Sequence, residues 1–98
     1  MKTIQFYCDP GHGWAKVPLT VIKKLGLTES ISHYSYVRGD YAYLEEDCDA
    51  SKVIVAMRAT GLNPVLKGNH GNKQSKIRNY CSYSPVKIDW DKCRVKGQ

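Results

Sequence analysis

The stretch Asp9-Pro10-Gly11-His12-Gly13-Trp14-Ala15-Lys16-Val17-Pro18 lies between an apolar strand pattern and the start of a helix. It holds two glycines, two prolines, a histidine and one of the two tryptophans of the chain. Proline presets φ, and the glycines on either side of His12 permit positive φ and a close approach of the backbone. We expect a turn here that holds His12 and Trp14 at the rim of a ligand site.

The segments on either side of this turn have the periods of strands and short helices. Residues 2–8 alternate apolar and polar side chains, which is typical of a half-buried strand, and residues 14–17 return as a second strand. Pro18 suits the first position of a helix over residues 18–25, which Gly26 ends. A second helix follows the acidic residues 45–49 and ends at Gly61.

The predicted order is strand, strand, helix, strand, strand, helix, strand, strand. This order predicts an α+β domain with a mostly antiparallel sheet and two short helices packed on one side of it. Residues 64–66 begin a strand, and residues 75–83 alternate as another strand with one basic and aromatic face. We assign residues 1–83 to a single domain and residues 84–98 to a basic C-terminal extension that can add an edge strand.

Four tyrosines near the middle of the chain predict an aromatic sheet face. A hairpin that turns at Arg38-Gly39 places Tyr36 opposite Tyr41. It also places Tyr34 opposite Tyr43, so all four side chains project from the same face. Burial beneath a helix is the favoured reading because tyrosine rings cover a sheet well, and an exposed platform for stacking bases is the alternative.

Positive charge is concentrated in the last third of the chain. Residues 1–62 contain seven Lys/Arg and seven Asp/Glu, whereas residues 63–98 contain eight against two, a net charge of +6. Residues 67–80 contain no acid, which predicts a binding surface for phosphates or for an acidic protein. A solvated basic tail that aids solubility is the alternative. The candidate phosphate-binding residues are Lys67, His70, Lys73, Lys76, Arg78 and Tyr80.

A second candidate site surrounds the glycine-rich turn. It would use imidazole, indole and basic side chains as a rim for a ligand or a protein partner, because Trp and Arg are frequent anchors of interfaces. Its members are His12, Trp14, Lys16 and Arg38.

The sequence carries no motif of an enzyme, a metal site or a cofactor site. The three histidines lack the i, i+4 spacing of a helical metal pair, and no two of the four cysteines form a C-x-x-C pair. Cys48 stands between two aspartates, which raises the pKa of a thiol and disfavours a reactive thiolate. The carboxylates of residues 45–49 favour helix capping over a calcium loop. Whether Cys81 and Cys93 pair is left open.

Hydropathy predicts the compartment. No run of 18 apolar residues occurs, and the first residues lack the apolar segment of a signal peptide. We therefore expect a protein of the cytoplasm, without contact with a membrane.

Three segments resemble a group of small accessory proteins of tailed phages and prophages. The segments are DPGHGW (9–14), GDYAYLEEDCD (39–49) and NKQSKIRNY (72–80), and the resemblance covers about residues 1–83. It implies a phage or mobile element inside a bacterial host as the setting, and it supplies no catalytic residues. Small proteins in such a setting often block host defences, which implies an anti-CRISPR-like inhibitor as one function.

A local similarity concerns residues 13–26 and the later Gly39-Asp40. These residues resemble the strand, the proline-led helix and the Gly-Asp turn of swapped-hairpin, AbrB-like DNA-binding dimers, although the link between helix and second hairpin is much longer here. The similarity is one of shape; a dimer is possible, and the oligomeric state is left open.

Two functions follow as hypotheses, and a small enzyme is a third, less favoured one, because the histidines and cysteines supply suitable residue types without a motif that fixes their geometry. The first is a non-enzymatic protein whose basic C-terminal third binds nucleic acid, a nucleotide or a nucleoprotein complex. The second is an inhibitor that binds a host defence protein through the turn at His12 and Trp14.

Overall fold

The computed structural model describes residues 2–97. Eight strands and two α-helices follow in this order: β1 (Lys2–Cys8), β2 (Gly13–Pro18), α1 (Leu19–Lys24), β3 (Tyr36–Arg38), β4 (Tyr41–Glu45), α2 (Ser51–Ala59), β5 (Pro64–His70), β6 (Cys81–Ser82), β7 (Ile88–Asp89) and β8 (Arg94–Val95). A π-helical turn (Glu46–Ala50) leads into α2, and two 3-10 turns (Lys76–Asn79 and Pro85–Lys87) lie in the last third.

Six of the strands form one sheet in the order β5-β1-β2-β4-β3-β6. All neighbouring strands are antiparallel except β1 and β5, which are parallel. The remaining strands, β7 and β8, form a separate hairpin. The predicted α+β class with a mostly antiparallel sheet is confirmed.

Both helices pack on one face of the sheet, as predicted. The buried side chains of β2 and β4 on this face meet the buried side chains of α1 and α2. The strand residues are Ala15, Val17, Ala42 and Leu44, and the helix residues are Leu19, Ile22, Val53 and Met57. Each large aliphatic side chain buried in this way contributes about 1.5 to 3 kcal/mol.

The opposite face of the sheet is rich in tyrosine. Because successive side chains of a strand point to opposite faces, the residues that alternate with the core all project from this side. We call this set the aromatic face: Tyr7, Trp14, Lys16, Tyr36, Arg38, Tyr41 and Tyr43. Its centre is covered by Ile77 of the first 3-10 turn, not by an α-helix, whereas Tyr41 keeps 38% of its surface exposed.

The register of the tyrosine hairpin differs from the prediction. The turn consists of Gly39 and Asp40, so Tyr36 lies opposite Tyr43. Gly39 has a φ of +59° and Asp40 has none in the positive range, as in a type II′ turn, which favours glycine at the first of its two central positions. The turn therefore shifts by one residue from Arg38-Gly39. Tyr34 precedes β3 and lies outside the sheet.

The prediction of a strand over residues 75–83 is wrong. Residues 76–79 form a 3-10 turn, and only Cys81–Ser82 are extended and paired with β3. The turn begins at Ser75, whose hydroxyl accepts a hydrogen bond from the backbone N–H of Ile77 at 3.2 Å. The alternation of Lys76, Arg78 and Tyr80 thus does not place them on one strand face.

Residues 84–97 fold against the helix-covered face instead of adding an edge strand to the large sheet. Ile88, Cys93 and Val95 are buried in the same core as α1 and α2. The Val95 N–H also donates to the Gly39 carbonyl oxygen at 2.9 Å, and Lys23 Nζ donates to the Trp90 carbonyl oxygen at 2.9 Å. The β7-β8 hairpin, predicted as an extension, is part of the common core.

A buried carboxylate ties the connector after α1 to the start of α2. Asp49 is fully buried and accepts hydrogen bonds from the Ser32 N–H at 3.0 Å, from the Ser32 and Ser35 hydroxyls, and from Lys52 Nζ at 3.1 Å. Burial alone would raise the pKa of Asp49, but these hydrogen bonds outweigh it and lower the pKa below its ordinary value. Asp49 therefore stays ionised as a structural acceptor.

Candidate functional site

The carboxylate of Asp9 joins the glycine-rich turn to the basic segment. It accepts hydrogen bonds from the N–H groups of Gly11, His12 and Ser75, each at 2.9 Å. It also accepts from Nε and Nη2 of Arg78 at 2.7 and 2.9 Å. The Arg78 guanidinium, with help from the Ser75 N–H, holds the pKa of Asp9 well below its usual range. Two segments more than sixty residues apart are thereby fixed together.

This connection builds a cleft of about 300 Å³ at one end of the aromatic face. Its aromatic and imidazole lining consists of His12, Trp14, Tyr34 and Tyr36, and its charged and polar lining consists of Glu45, Asp47, Cys48 and Arg78. Trp14 is only 2% exposed, so it lies on the floor of the cleft and not at the rim that the sequence predicted. Ile77 and Tyr43 pack against it and cause this burial.

The floor of the cleft contains two polar atoms that lack a hydrogen bond. Trp14 Nε1 and Glu45 Oε1 are buried, and neither has a hydrogen-bond partner among the described residues. The two residues are directly opposite each other on β2 and β4. Within residues 2–97, the charged contact of Oε1 is His12 Nδ1 at 3.4 Å, an ion pair when the imidazole is protonated. Neighbouring strands therefore carry one unsatisfied donor and one unsatisfied acceptor.

Away from the cleft, the aromatic face combines rings with cations. Lys16 Nζ lies 4.3 Å from the centroid of the Tyr41 ring, and Arg38 Cζ lies 5.2 Å from that of Tyr80. Tyr80 in turn packs on Tyr43, with ring centroids 5.0 Å apart. Each cation is held over a ring while its charge stays near the surface.

Lys67 extends this basic surface to the edge strand. The parallel register places Lys67 beside Gln5 and Asn69 beside Tyr7, and Asn69 Nδ2 donates to Gln5 Oε1 at 3.0 Å on the same side. Among the described strand residues that project from this side, Glu45 is the only acid, and it is 6% exposed. The accessible charge of the sheet on this side is therefore positive.

The structure separates the predicted phosphate-binding residues into three groups. Lys67 projects beside the aromatic face, and Tyr80 packs onto it. Lys73 and Lys76 are exposed on the segment after β5, and His70 is exposed at the end of β5. Arg78 is held by Asp9 and lies 5.4 Å over the Trp14 ring, so it belongs to the cleft.

The other cations of the C-terminal third lie elsewhere. The β7-β8 hairpin and the residues directly next to it carry Lys87, Lys92, Arg94 and Lys96; this hairpin contacts β3, whereas Lys67 lies on β5. Strands β1, β2 and β4 stand between these two places. The excess charge of residues 63–98 therefore does not form a single patch.

Glu45, Asp47, Cys48 and Tyr34 are cleft residues that the sequence did not assign to a site. Glu45 continues the alternation of Tyr41 and Tyr43 along β4, and that period was the available signal. Burial raises the pKa of the Cys48 thiol, as do the neighbouring carboxylates of Glu45, Asp49 and Asp47, in agreement with the expectation from the sequence. Cys48 is thus a neutral thiol and a poor nucleophile.

Two further observations concern metals and membranes. Within residues 2–97 no cluster of three or more His, Cys, Asp or Glu side chains is arranged to hold a metal ion. Among the described helices none has the length and apolar character needed to cross a bilayer.

The cleft and the aromatic face are the two candidate functional surfaces. In comparisons with protein-family models, with curated proteins and with solved structures, nothing matches this chain.

Proposed function

We propose that this chain is a small accessory protein of a phage or another mobile element that binds single-stranded nucleic acid without catalysing a reaction. The setting rests on the resemblance of residues 9–14, 39–49 and 72–80 to phage proteins, and it implies the cytoplasm of a bacterial host. The partner is a free strand, a nucleotide or a nucleoprotein complex. The mode of binding rests on the aromatic face.

The observation that carries the proposal is the pairing of partly exposed rings with cations on one side of the sheet. Tyr41 is partly exposed beside Lys16, and Arg38 lies over the half-buried Tyr80. Proteins that bind single strands combine aromatic platforms for bases with basic groups for phosphates. The surface around Tyr41 offers both, and Lys67 adds a third cation.

Single strands suit this surface better than duplexes do. A duplex hides the faces of its bases in the stack, whereas an unpaired strand can lay them on tyrosine rings. The basic surface also differs from the one predicted from the sequence, because it uses Lys16 and Arg38 of the neutral first part together with Lys67. The cations of the β7-β8 hairpin lie beside β3, and this basic surface does not include them.

The test is a fluorescence-anisotropy titration with a labelled single strand and with a duplex of the same sequence. Three phosphate contacts predict a fall in single-strand affinity of about twenty-fold between about 50 and 200 mM salt. We expect the single strand to bind more tightly than the duplex at every salt concentration. A salt-independent affinity, or a preference for the duplex, would contradict the proposal.

A second candidate function is inhibition of a host defence protein through the cleft. It is favoured by Tyr34, which is 60% exposed at the cleft and stacks with His33 at a centroid distance of 4.3 Å. Exposed tyrosine beside tryptophan is typical of the anchors of protein interfaces. Capture of partners from bacterial lysate, with and without nuclease, separates the two functions. Nucleic-acid binding predicts that nuclease removes the captured material, and a protein retained after nuclease favours the inhibitor.

A further inference from the structure

Two buried polar atoms of cleft residues have no hydrogen-bond partner among the described residues. Trp14 Nε1 is a donor and Glu45 Oε1 is an acceptor, and both belong to side chains that are more than nine-tenths buried. Native proteins satisfy most of their buried polar groups, and each exception calls for an explanation, such as a bound water, an ion or a functional role. Because β2 and β4 place these residues directly opposite each other, both side chains lie on the same side of the sheet, as contact of one small group with both atoms requires.

The chemistry of the pair restricts what that group is. A guanidinium or an ammonium offers only donors, so it would leave the Trp14 N–H unsatisfied. A phosphate or a carboxylate offers only acceptors and would face the charge of Glu45. The hydrogen-bonding edge of a nucleobase carries a donor and an acceptor side by side, and flipped bases are read through that edge.

The walls of the cleft suit a flat ring. The edge of Tyr36 meets Trp14 at a centroid distance of 6.3 Å, and the His12 ring lies 6.2 Å from Trp14. The volume of about 300 Å³ is at the lower end of the range for small-molecule sites. Aromatic and imidazole walls of this kind hold bases by stacking.

The charges of the cleft select among bases. Glu45 and Asp47 are carboxylates, while the one guanidinium of the cleft, Arg78, is already neutralised by Asp9. A phosphate group is therefore repelled from the cleft and stays outside it. Bases with an exocyclic amino group present additional donors to these carboxylates, whereas uracil presents two carbonyl oxygens around a single N–H. Adenine, cytosine and guanine should therefore bind more tightly than uracil.

Access to the floor depends on His12. Its imidazole lies against both Trp14 and Glu45, and its side chain is 48% exposed. The backbone of the turn is fixed by Asp9, so the imidazole can rotate outward while the turn stays in place. Rotation of this one side chain would uncover Glu45 Oε1.

We propose that the cleft is a pocket for one unpaired nucleobase that carries an amino group, with the Trp14 N–H donating to its acceptor and Glu45 accepting from its donor. The inference rests on the proposed function, since it places one base of a bound strand in the cleft. The phosphates of that strand remain on the cations of the aromatic face. His12 covers the empty pocket and turns outward when a base enters.

The experiment follows the two tryptophan indole N–H signals by NMR on the ¹⁵N-labelled chain. The chain has two tryptophans, and Trp90 provides an internal reference because its Nε1 already donates to the Pro85 carbonyl oxygen at 3.1 Å. AMP, CMP, GMP and UMP are titrated separately, with ribose 5-phosphate and arginine amide as probes of phosphate and guanidinium. We expect a saturable shift of the Trp14 signal with AMP, CMP and GMP, a weaker one with UMP, and an unchanged Trp90 signal.

Two variants sharpen the test. Glu45→Gln keeps the shape of the side chain but can donate from its amide, so it should reverse the preference toward UMP. His12→Ala removes the cover and should bind AMP at least as tightly as the unaltered chain. An unchanged Trp90 signal in both variants shows that the fold persists.

The outcomes separate this inference from the proposed function. If no nucleotide shifts the Trp14 signal while an oligonucleotide still binds the chain, the pocket is wrong and the proposed function stands. If neither binds, both fail. A shift produced equally by ribose 5-phosphate, or more strongly by arginine amide than by AMP, overturns the pocket in favour of an anion site or a basic protein partner.

Discussion

The double substitution Lys16→Ala, Arg38→Ala is expected to weaken binding of a single-stranded oligonucleotide about thirty-fold at moderate salt. Each side chain supplies one charged contact to a phosphate, worth about 1 kcal/mol at an exposed site. The salt dependence should become shallower at the same time, because two fewer counterions are released. Anisotropy titrations of the variant at several salt concentrations measure both effects.

A matched control changes the same net charge on the other side of the molecule. Lys24 and Arg58 are exposed and lie at the ends of the two helices, which cover the opposite face of the sheet. The substitution Lys24→Ala, Arg58→Ala should leave the affinity within about two-fold of the unaltered chain. Equal losses in the two variants would mean that binding follows net charge and not the aromatic face.

The substitution Asp49→Ala is expected to lower the free energy of unfolding by about 3 kcal/mol. The carboxylate is fully buried, and its loss leaves the Ser35 hydroxyl and the Ser32 N–H without an acceptor. For a chain of this length the melting temperature should fall by about 15 °C. Thermal and urea unfolding followed by circular dichroism measure the change.

Two other variants test whether the hydrogen bonds are the cause. Glu46→Ala removes an exposed carboxylate three residues earlier and should change stability by less than about 0.5 kcal/mol. Asp49→Asn keeps the size of the side chain but replaces an acceptor with a donor, so it should remain clearly destabilised. An Asp49→Ala protein as stable as Glu46→Ala would show that Asp49 does not hold the connector to α2.

The class of the fold and both helices could be predicted because their signals are local. Pro18 immediately precedes α1, and Gly26 follows it with a φ of +71°. Gly61, with a φ of +88°, follows α2 in the same way. Alternation in β1 and β2 is likewise visible within a few residues. In each case the sequence window that shows the pattern also contains the residues that end the element.

The basic segment could not be predicted because its conformation is decided by distant residues. Residues 75–83 alternate like a strand, yet Asp9 binds both Ser75 and Arg78 and holds the chain in a 3-10 turn. No local pattern announces a contact across more than sixty positions. The same is true of the β7-β8 hairpin, which is held by core contacts and by Gly39.

The sequence predicted some residues of the candidate site but not their arrangement. His12, Trp14 and Arg78 were each singled out, but the sequence assigned them to two separate sites that the Asp9 ion pair joins in one cleft. Glu45 was assigned to helix capping, and one of its oxygens does accept from the Asp47 N–H at 3.0 Å. Its other oxygen, Oε1, is buried without a hydrogen bond. The place of Glu45 beside Trp14 in the sheet becomes visible only from the pairing of β2 with β4.

The most direct test of the central claim is a residue-by-residue map of backbone amide shifts when a single-stranded oligonucleotide is added to the ¹⁵N-labelled chain. We expect the largest shifts in β2, β3 and β4 around Lys16, Arg38 and Tyr41. Shifts concentrated on the β7-β8 hairpin around Lys92 and Arg94, with β2 to β4 unchanged, would contradict it.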